Sequence, residues 1–285
     1  MTSISKPNLE SSDSKVDERF SHYSFKHRVI AWISSHVFDN ITYTARHGLN
    51  RGMRRKGGLG WLPQSLSGSV DTREQEFWKD LDLRGMVVYD IGAFQGILTL
   101  LFATRAREVI CYEPNQRNRK RLEENVALNH LTNVRIRPVG LGASREILRM
   151  VFDPLMPGGA TVEQNITEQL HKNSRAVTEE IPITTLDADI EENRLPVPQF
   201  VKVDVEGWEI EVLRGARKMF EQYHPDLFLE MHGETMNEKE RKVAEIVDYL
   251  VLMGYHQTVH IETNTPISQA NSGVAAEGHL YCRRQ

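Results

Sequence analysis

Short apolar runs rich in β-branched residues alternate with amphipathic segments along most of the chain. Five of these runs predict buried parallel strands, because each is nearly continuous in apolar residues and leads into a helical pattern or a turn. They are MVVYDI (86–91), EVICYE (108–113), NVRIRPV (133–139), QFVKVDV (199–205) and PDLFLEM (225–231). YHQTVHIE and GHLYCRR, which follow, predict a terminal pair of strands. The repetition predicts an α/β fold with a doubly wound, mostly parallel, seven-stranded sheet.

The N-terminal part departs from this rhythm and sets the predicted domain limits. Residues 1–20 are polar and predict a disordered tail. SFKHRVIAWISSHVF (24–38) has apolar residues at helical spacing and predicts an amphipathic helix. We therefore expect a helical and basic extension over residues 21–68, followed by the α/β domain over residues 69–285.

A second departure lies inside the predicted domain, at about residues 145–191. There ILRMVF and EIPITTL predict two extra strands around a Gly158–Gly159 loop. An insertion before the fourth main strand is a natural place for contacts with a substrate.

The composition excludes the fibrous and transmembrane classes of protein. Of the 285 residues, 40% are hydrophobic and 26% are charged, and no run of about 18 apolar residues is present that could span a bilayer. The first residues contain no apolar stretch of the kind that a secretory signal needs, so the sequence predicts a cytoplasmic protein. Cys111 and Cys282 fall in predicted strands and are expected to be reduced, packed thiols.

A basic segment precedes the predicted domain and contrasts with the net charge of −4. Its five cations lie within eleven residues that contain no acid: Arg46, Arg51, Arg54, Arg55 and Lys56. One interpretation is a solvated surface. The other is a mobile loop that, with Trp61 and Leu62, faces an anionic substrate or makes peripheral membrane contact through residues 46–62.

Candidate chemistry lies at the carboxyl ends of the predicted strands, where ligands of open α/β sheets bind. The first strand ends in DIGAFQG, in which Gly92 and Gly96 let the backbone turn tightly beside a ligand. Glu113 ends the second strand, 23 residues after Asp90, close to the spacing at which an acid accepts hydrogen bonds from a ribose diol. Because a carboxylate repels a ribose phosphate, this position favours an unphosphorylated nucleoside such as adenosine.

The fourth and fifth main strands end in charged residues. Lys202, Asp204 and Glu206 alternate and are expected on one face of the strand, with Asp204 at the reactive end of the ligand site. Glu230 and His232 repeat the pattern on the fifth strand. Charges in a central strand are costly unless they are paired, so a purely structural buried Lys–Asp pair is the alternative interpretation.

These segments resemble the FkbM-type S-adenosylmethionine-dependent methyltransferases, which belong to the Rossmann-like methyltransferases of the first structural class. The resemblance extends over about residues 84–233. It is carried by VVYDIGAFQG, the acid of CYEP, ENVALN, TTLD, FVKVDVEGWEIEVLRGA and PDLFLEMHG. It implies methyl transfer from S-adenosylmethionine to a hydroxyl on a sugar, glycan, lipid or secondary metabolite.

The resemblance also implies roles for individual residues. Asp90, Gly92 and Gly96 would approach the methionine part of the cofactor, Glu113 would hold the ribose hydroxyls, and Gly140 and Leu141 would border the adenine, with Ala93 and Pro114 completing the predicted site. Asp204, Glu206 and His232 are unranked candidates for the group that removes the acceptor's proton. Catalysis without a metal is preferred; the alternative is that the same three side chains hold a divalent cation.

Two alternative hypotheses place the protein in other functional classes. A nicotinamide-dependent oxidoreductase would share the strand-end glycines and the ribose acid, but the missing GxGxxG and the KVDVEG segment count against it. A non-catalytic nucleic-acid-binding module would use residues 46–56, but the negative net charge and the lack of a recognition motif argue against it.

Overall fold

The computed structural model describes residues 39–57, 72–153, 156–161, 177–233 and 235–284. The predicted tail, the predicted helix over residues 24–38, and Trp61 and Leu62 lie outside the described residues. None of the described helices combines the length and apolar content that a bilayer crossing needs.

The elements follow the chain in the order that the hydrophobic pattern predicts, with additions at both ends. The strands are β1 (Thr42–Thr44), β2 (Arg54–Lys56), β3 (Val87–Ile91), β4 (Glu108–Tyr112), β5 (Val134–Arg137), β6 (Gly140–Leu141), β7 (Glu146–Asp153), β8 (Met156–Thr161), β9 (Val177–Thr184), β10 (Phe200–Val203), β11 (Asp226–Met231), β12 (Gln257–His260), β13 (Thr265–Ile267) and β14 (Gly278–Arg283). The α-helices are α1 (Arg73–Asp80), α2 (Ile97–Ala103), α3 (Gln116–Leu128), α4 (Leu186–Asn193), α5 (Glu209–Gly215), α6 (Arg217–Tyr223) and α7 (Met236–Leu252), and a 3₁₀ helix covers Gln269–Ala275.

The central sheet has the strand order β13-β12-β14-β11-β10-β3-β4-β5. The five strands from β11 to β5 are parallel, whereas β14 runs antiparallel between β11 and β12. The predicted α/β class and the predicted terminal pair, β12 and β14, are confirmed. The sheet has eight strands instead of seven, because the short β13 pairs with β12 at the edge. Its Pro266 is tolerated there, since an edge strand needs no inward N–H from that residue.

Helices cover both faces of this sheet. Side chains of β3 alternate between two buried clusters: Tyr89 packs in the cluster that includes α5, α6 and α7, and Val88 packs with Trp78 of α1 and Phe102 of α2. Because both faces are covered, β3 and β10 are buried at every position. Cys111 in β4 and Cys282 in β14 are buried free thiols, as predicted.

The insertion forms a separate four-stranded sheet of order β6-β9-β7-β8. The predicted extra strands correspond to β7 and β9, which pair antiparallel. Two details differ from the prediction. Gly158 and Gly159 lie within β8 rather than in a loop. The chain also turns helical at Leu186, because the Thr185 side chain accepts a hydrogen bond from the Ala188 N–H and starts α4.

The described part of the basic segment, residues 46–57, belongs to a hairpin of β1 with β2, whereas its glycines suggested a mobile loop. Residues 58–62 of the segment lie outside the described residues. Two backbone N–H groups of β2 donate to side chains at the end of α3: Lys56 to Asn125 in the helix and Arg54 to Asn129, which caps it, each at 2.8 Å. The Lys56 ammonium also pairs with Glu124 at 2.9 Å. These contacts hold the hairpin on α3, while the side chain of Arg54 stays exposed.

Candidate active site

Four adjacent parallel strands, β4, β3, β10 and β11, end at the same edge of the sheet. The loops after them carry most of the residues that the sequence singles out. The tertiary structure therefore brings together groups that lie more than a hundred positions apart in the chain.

The loop after β3 is held by close internal packing. Gly92 has a φ of +79°, and a Cβ there would lie 1.7 Å from the carbonyl oxygen of Asp204. Gly96 has a φ of +86°, and a Cβ there would lie 2.5 Å from Cδ1 of Leu122. The absence of side chains at these positions lets the ends of β3 and β10 touch, and lets α2 approach α3. The direction that a Gly92 side chain would take is thus filled by protein backbone, and the contact of Gly92 with a ligand stays a prediction.

Lys202 joins the ends of β3 and β10 inside the sheet. It lies opposite Asp90 in the strand register, and its ammonium is 2.9 Å from the Gly92 carbonyl, 3.1 Å from Asp204 Oδ2 and 3.4 Å from Asp90 Oδ1. Burial alone would lower the pKa of Lys202, but the carboxylates of Asp204 and Asp90 outweigh it and raise that pKa. The buried Lys–Asp pair proposed as the structural alternative is therefore present.

Asp90 is fully enclosed by this arrangement. Its Oδ2 accepts a 2.5 Å hydrogen bond from the Thr99 hydroxyl, and its side chain is only 1% exposed. Any influence of Asp90 on a ligand must therefore pass through the loop and Lys202.

Glu113, after β4, bonds to the neighbouring loops on both sides. Its Oε2 accepts from the Phe94 N–H at 2.8 Å, and its Oε1 accepts from the Asn115 N–H at 2.9 Å. Burial raises the pKa of Glu113 to about 7, against the lowering effect of these two hydrogen bonds. Phe94 itself has a φ of +51°, which is unusual for a residue with a large side chain.

The remaining predicted cofactor residues follow the carboxyl ends of β3, β4 and β5 in the chain. The Ala93 N–H donates to the Tyr112 carbonyl at 3.0 Å. Gly140 and Leu141 form β6 and pair with β9, and a Cβ on Gly140 would lie 2.5 Å from Ile183 Cδ1 and 3.7 Å from Cγ of Pro114. Gly140 of β6 therefore packs closely between Pro114 and Ile183 of β9.

The three predicted catalytic residues meet at His232. Its Nε2 lies 3.8 Å from Asp204 Oδ1 and 3.7 Å from Glu206 Oε2. The route differs from the predicted alternation, because β10 ends at Val203 and Glu206 lies in a turn with a φ of +53°. The turn, and not a strand face, brings Glu206 to the cluster.

Two further acids surround His232. Glu209, the first residue of α5, is 1% exposed and accepts a 2.9 Å hydrogen bond from His232 Nδ1. Glu230 Oε1 is 3.5 Å from Nε2, while Glu230 Oε2 lies 3.6 Å from His279. Glu230 could be singled out from the sequence, but Glu209 and His279 could not. An acid in the first turn of a helix, such as Glu209, ordinarily stabilises the helix dipole. His279 lies in the terminal strand β14, where no motif marks it.

These neighbours set the charge states of the cluster. Burial would lower the pKa of His232, but the neighbouring carboxylates of Glu209 and Glu230 outweigh it and raise that pKa to about 11. Burial raises the pKa of Glu206 to about 7, against the opposing charge of His232. Burial would likewise raise the pKa of Glu230, but the imidazoles of His232 and His279, at 3.5 Å and 3.6 Å, hold it well below its usual range.

Comparison with known proteins adds the family. Residues 90–256, more than half of the chain, match the model of the Methyltransferase FkbM domain. The hexuronic acid methyltransferase AglP of Haloferax volcanii is 30% identical over 156 residues, which are 50% of this chain and 60% of that protein. Methyltransferase 1 of Beauveria bassiana is 26% identical over 145 residues, which are 45% of this chain and 57% of that protein.

A solved structure also resembles this one. Methyltransferase FkbM from Methylobacillus flagellatus KT aligns with a TM-score of 0.44 and 17% identity, over 70% of this chain and 43% of that chain. The chain spans about 60% of the length of the curated relatives that it matches. On the match to the family model, this chain belongs to the FkbM methyltransferase domain family.

Proposed function

We propose that this protein transfers a methyl group from S-adenosylmethionine to a hydroxyl oxygen of a sugar. The observation that carries the proposal is the cluster of Asp204, Glu206 and His232 at the ends of β10 and β11, at the same edge of the sheet as Glu113 after β4. The family supports methyl transfer. The similarity to the hexuronic acid methyltransferase of Haloferax volcanii supports a sugar acid as the class of acceptor.

The described residues fit the cofactor. Each oxygen of Glu113 accepts one backbone N–H, so each keeps a lone pair for a ribose hydroxyl. Carboxylates at the ends of β10 and β11 suit a ligand with a positive charge. When bound, S-adenosylmethionine supplies a methyl group activated by its sulfonium.

The protein's own task is to align the acceptor and to take its proton. The acceptor oxygen bonds to the methyl carbon, the electron pair of the carbon–sulfur bond stays on sulfur, and the hydroxyl proton must leave. Glu206 is the best placed to receive it. Its side chain is 38% exposed, and its Oε2 lies 3.7 Å from His232 Nε2, too far for a strong ion pair. Asp204 is tied to Lys202, and Glu209 is buried against His232. A positioned base of this kind contributes about 10²–10⁴-fold to a rate.

The direct test is a methyl-transfer assay on the full chain, with glucuronic acid glycosides and matched neutral glucosides as acceptors. We expect a mass increase of one methyl group on a sugar oxygen and the release of adenosylhomocysteine. Calorimetric binding of NAD, without binding of adenosylhomocysteine, would overturn the proposal in favour of an oxidoreductase.

Glu113→Gln should weaken adenosylhomocysteine binding at pH 8 by about ten- to a hundredfold, because a charged acceptor of the ribose hydroxyls becomes neutral. With a pKa of about 7, Glu113 is mostly protonated at pH 6 and mostly ionised at pH 8. Wild-type affinity should therefore rise by up to about tenfold over that interval. Calorimetry at both pH values measures this effect.

The matched control is Glu123→Gln, which removes an exposed carboxylate from α3. It should keep both the affinity and the pH dependence of the wild type. Equal pH dependence in wild type and Glu113→Gln would remove Glu113 from the cofactor site.

A further inference from the structure

Three donor atoms from two strand ends converge beside the predicted base. Asp204, Glu230 and His232 each offer one ligand atom, and these atoms lie within 4.8 Å of one another. His232 Nε2 is 3.8 Å from Asp204 Oδ1 and 3.5 Å from Glu230 Oε1. Both separations exceed the length of an ordinary N–H···O hydrogen bond, about 2.7–3.2 Å.

The second polar atom of each side chain is held by a different partner outside the group. Asp204 Oδ2 pairs with Lys202 at 3.1 Å. His232 Nδ1 bonds to the buried Glu209 at 2.9 Å. Glu230 Oε2 faces His279 Nε2 at 3.6 Å. Each side chain is thus oriented by one atom and presents the other to a common point, as ligands of metal ions are oriented by neighbours that do not touch the ion.

We propose that Asp204, Glu230 and His232 bind a divalent cation. Donors on one ion at about 2.1 Å stand about 3 Å apart when adjacent and about 4.2 Å apart when opposite, so the observed separations need little adjustment. Two carboxylates and one imidazole suit Mn²⁺, because carboxylates favour Mg²⁺ and Mn²⁺ while an imidazole favours the transition metals.

The charges around this point favour a cation. Among the described residues, four basic side chains, Lys202, His232, His260 and His279, are connected through ion-pair contacts to six carboxylates: Asp90, Asp204, Glu206, Glu209, Glu230 and Glu262. A divalent ion on His232 Nε2 would replace a proton at that atom and add positive charge to this acid-rich group. The structure also changes the donor set considered from the sequence, because Glu230 takes the place of Glu206 and leaves Glu206 free to act as a base.

The site itself does not depend on the methyltransferase proposal; only its catalytic use rests on that proposed function. Three protein ligands leave coordination positions open. An acceptor hydroxyl in one of them would become more acidic and would lose its proton more readily to Glu206.

The test is titration of the metal-stripped full chain with MnCl₂, followed by electron paramagnetic resonance of free Mn²⁺. We expect one bound Mn²⁺ per chain. Glu230→Gln and His232→Asn should each weaken binding by more than about tenfold. Glu206→Gln and the surface control Glu240→Gln should bind Mn²⁺ like the wild type.

Circular dichroism and adenosylhomocysteine calorimetry on the same variants show that each is folded and separate the two proposals. Mn²⁺ uptake without adenosylhomocysteine binding would remove the methyltransferase proposal and leave the cation site. Absence of wild-type binding at 1 mM Mn²⁺, a concentration about that of the weakest specific sites, would overturn the cation site. Equal Mn²⁺ binding by wild type and Glu230→Gln would overturn it as well.

Discussion

Gly92→Ala is expected to lower the free energy of unfolding by more than about 3 kcal/mol. The new Cβ would lie 1.7 Å from the carbonyl oxygen and 2.8 Å from the carbonyl carbon of Asp204, and backbone atoms cannot move aside as a flexible side chain can. The carbonyl of Gly92 also accepts from the Lys202 ammonium, so moving this loop would disturb the buried ion pair. Urea denaturation followed by circular dichroism measures the loss.

Gly85→Ala provides the matched control. Gly85 has nearly the same backbone conformation, with a φ of +75°, but a Cβ there would meet nothing within 4 Å. Only the left-handed conformation would then be penalised, by about 1–2 kcal/mol. If the two variants unfold at the same urea concentration, contact between the ends of β3 and β10 is not what requires a glycine at position 92.

Glu206→Gln is expected to lower the methyl-transfer rate by about 10²–10⁴-fold. The substitution keeps the shape of the side chain and removes its ability to take a proton. Glu206 is partly exposed, and its ion pair with His232 is long, at 3.7 Å. The substitution should therefore change the free energy of unfolding little. The Michaelis constant for S-adenosylmethionine should stay within about twofold, since an interaction made only during transfer affects the turnover number.

Asp204→Asn makes a useful comparison, because Asp204 pairs with Lys202 inside the sheet. That variant should lose stability as well as rate, since it leaves a buried ammonium with less opposite charge. Wild-type turnover in Glu206→Gln would reject the base. Glu206 would then have no part in the transfer.

The central strands could be predicted because burial on both faces demands nearly continuous apolar runs, and such runs are visible without a structure. The edge strand β13 and the hairpin of β1 with β2 lack that signal. β13 is short and contains Pro266, and β2 consists of Arg54, Arg55 and Lys56. Their pairing depends on partners elsewhere in the chain: β12 for the first, and α3 for the hairpin.

The candidate site divides in the same way. Asp204, Glu206, Glu113 and His232 could be singled out because polar residues are unexpected at the ends of buried strands. Glu209 could not, because its significance lies in a contact with a side chain 23 residues later. The close approach of Gly92 to the Asp204 carbonyl could not be predicted either, since the two residues follow different strands.

The amino-acid sequence by itself determined the class of fold, the order of the central strands along the chain and the edge of the sheet where polar groups collect, because these follow from local hydrophobic pattern. Only the tertiary structure decided which atoms face one another there. Lys202 pairs with Asp204 Oδ2, and Glu209 bonds to His232 Nδ1. Asp204 Oδ1 and His232 Nε2 are left to converge with Glu230. The physical reason is that charge pairing depends on distances of a few ångströms between separate strand ends, which no local pattern specifies.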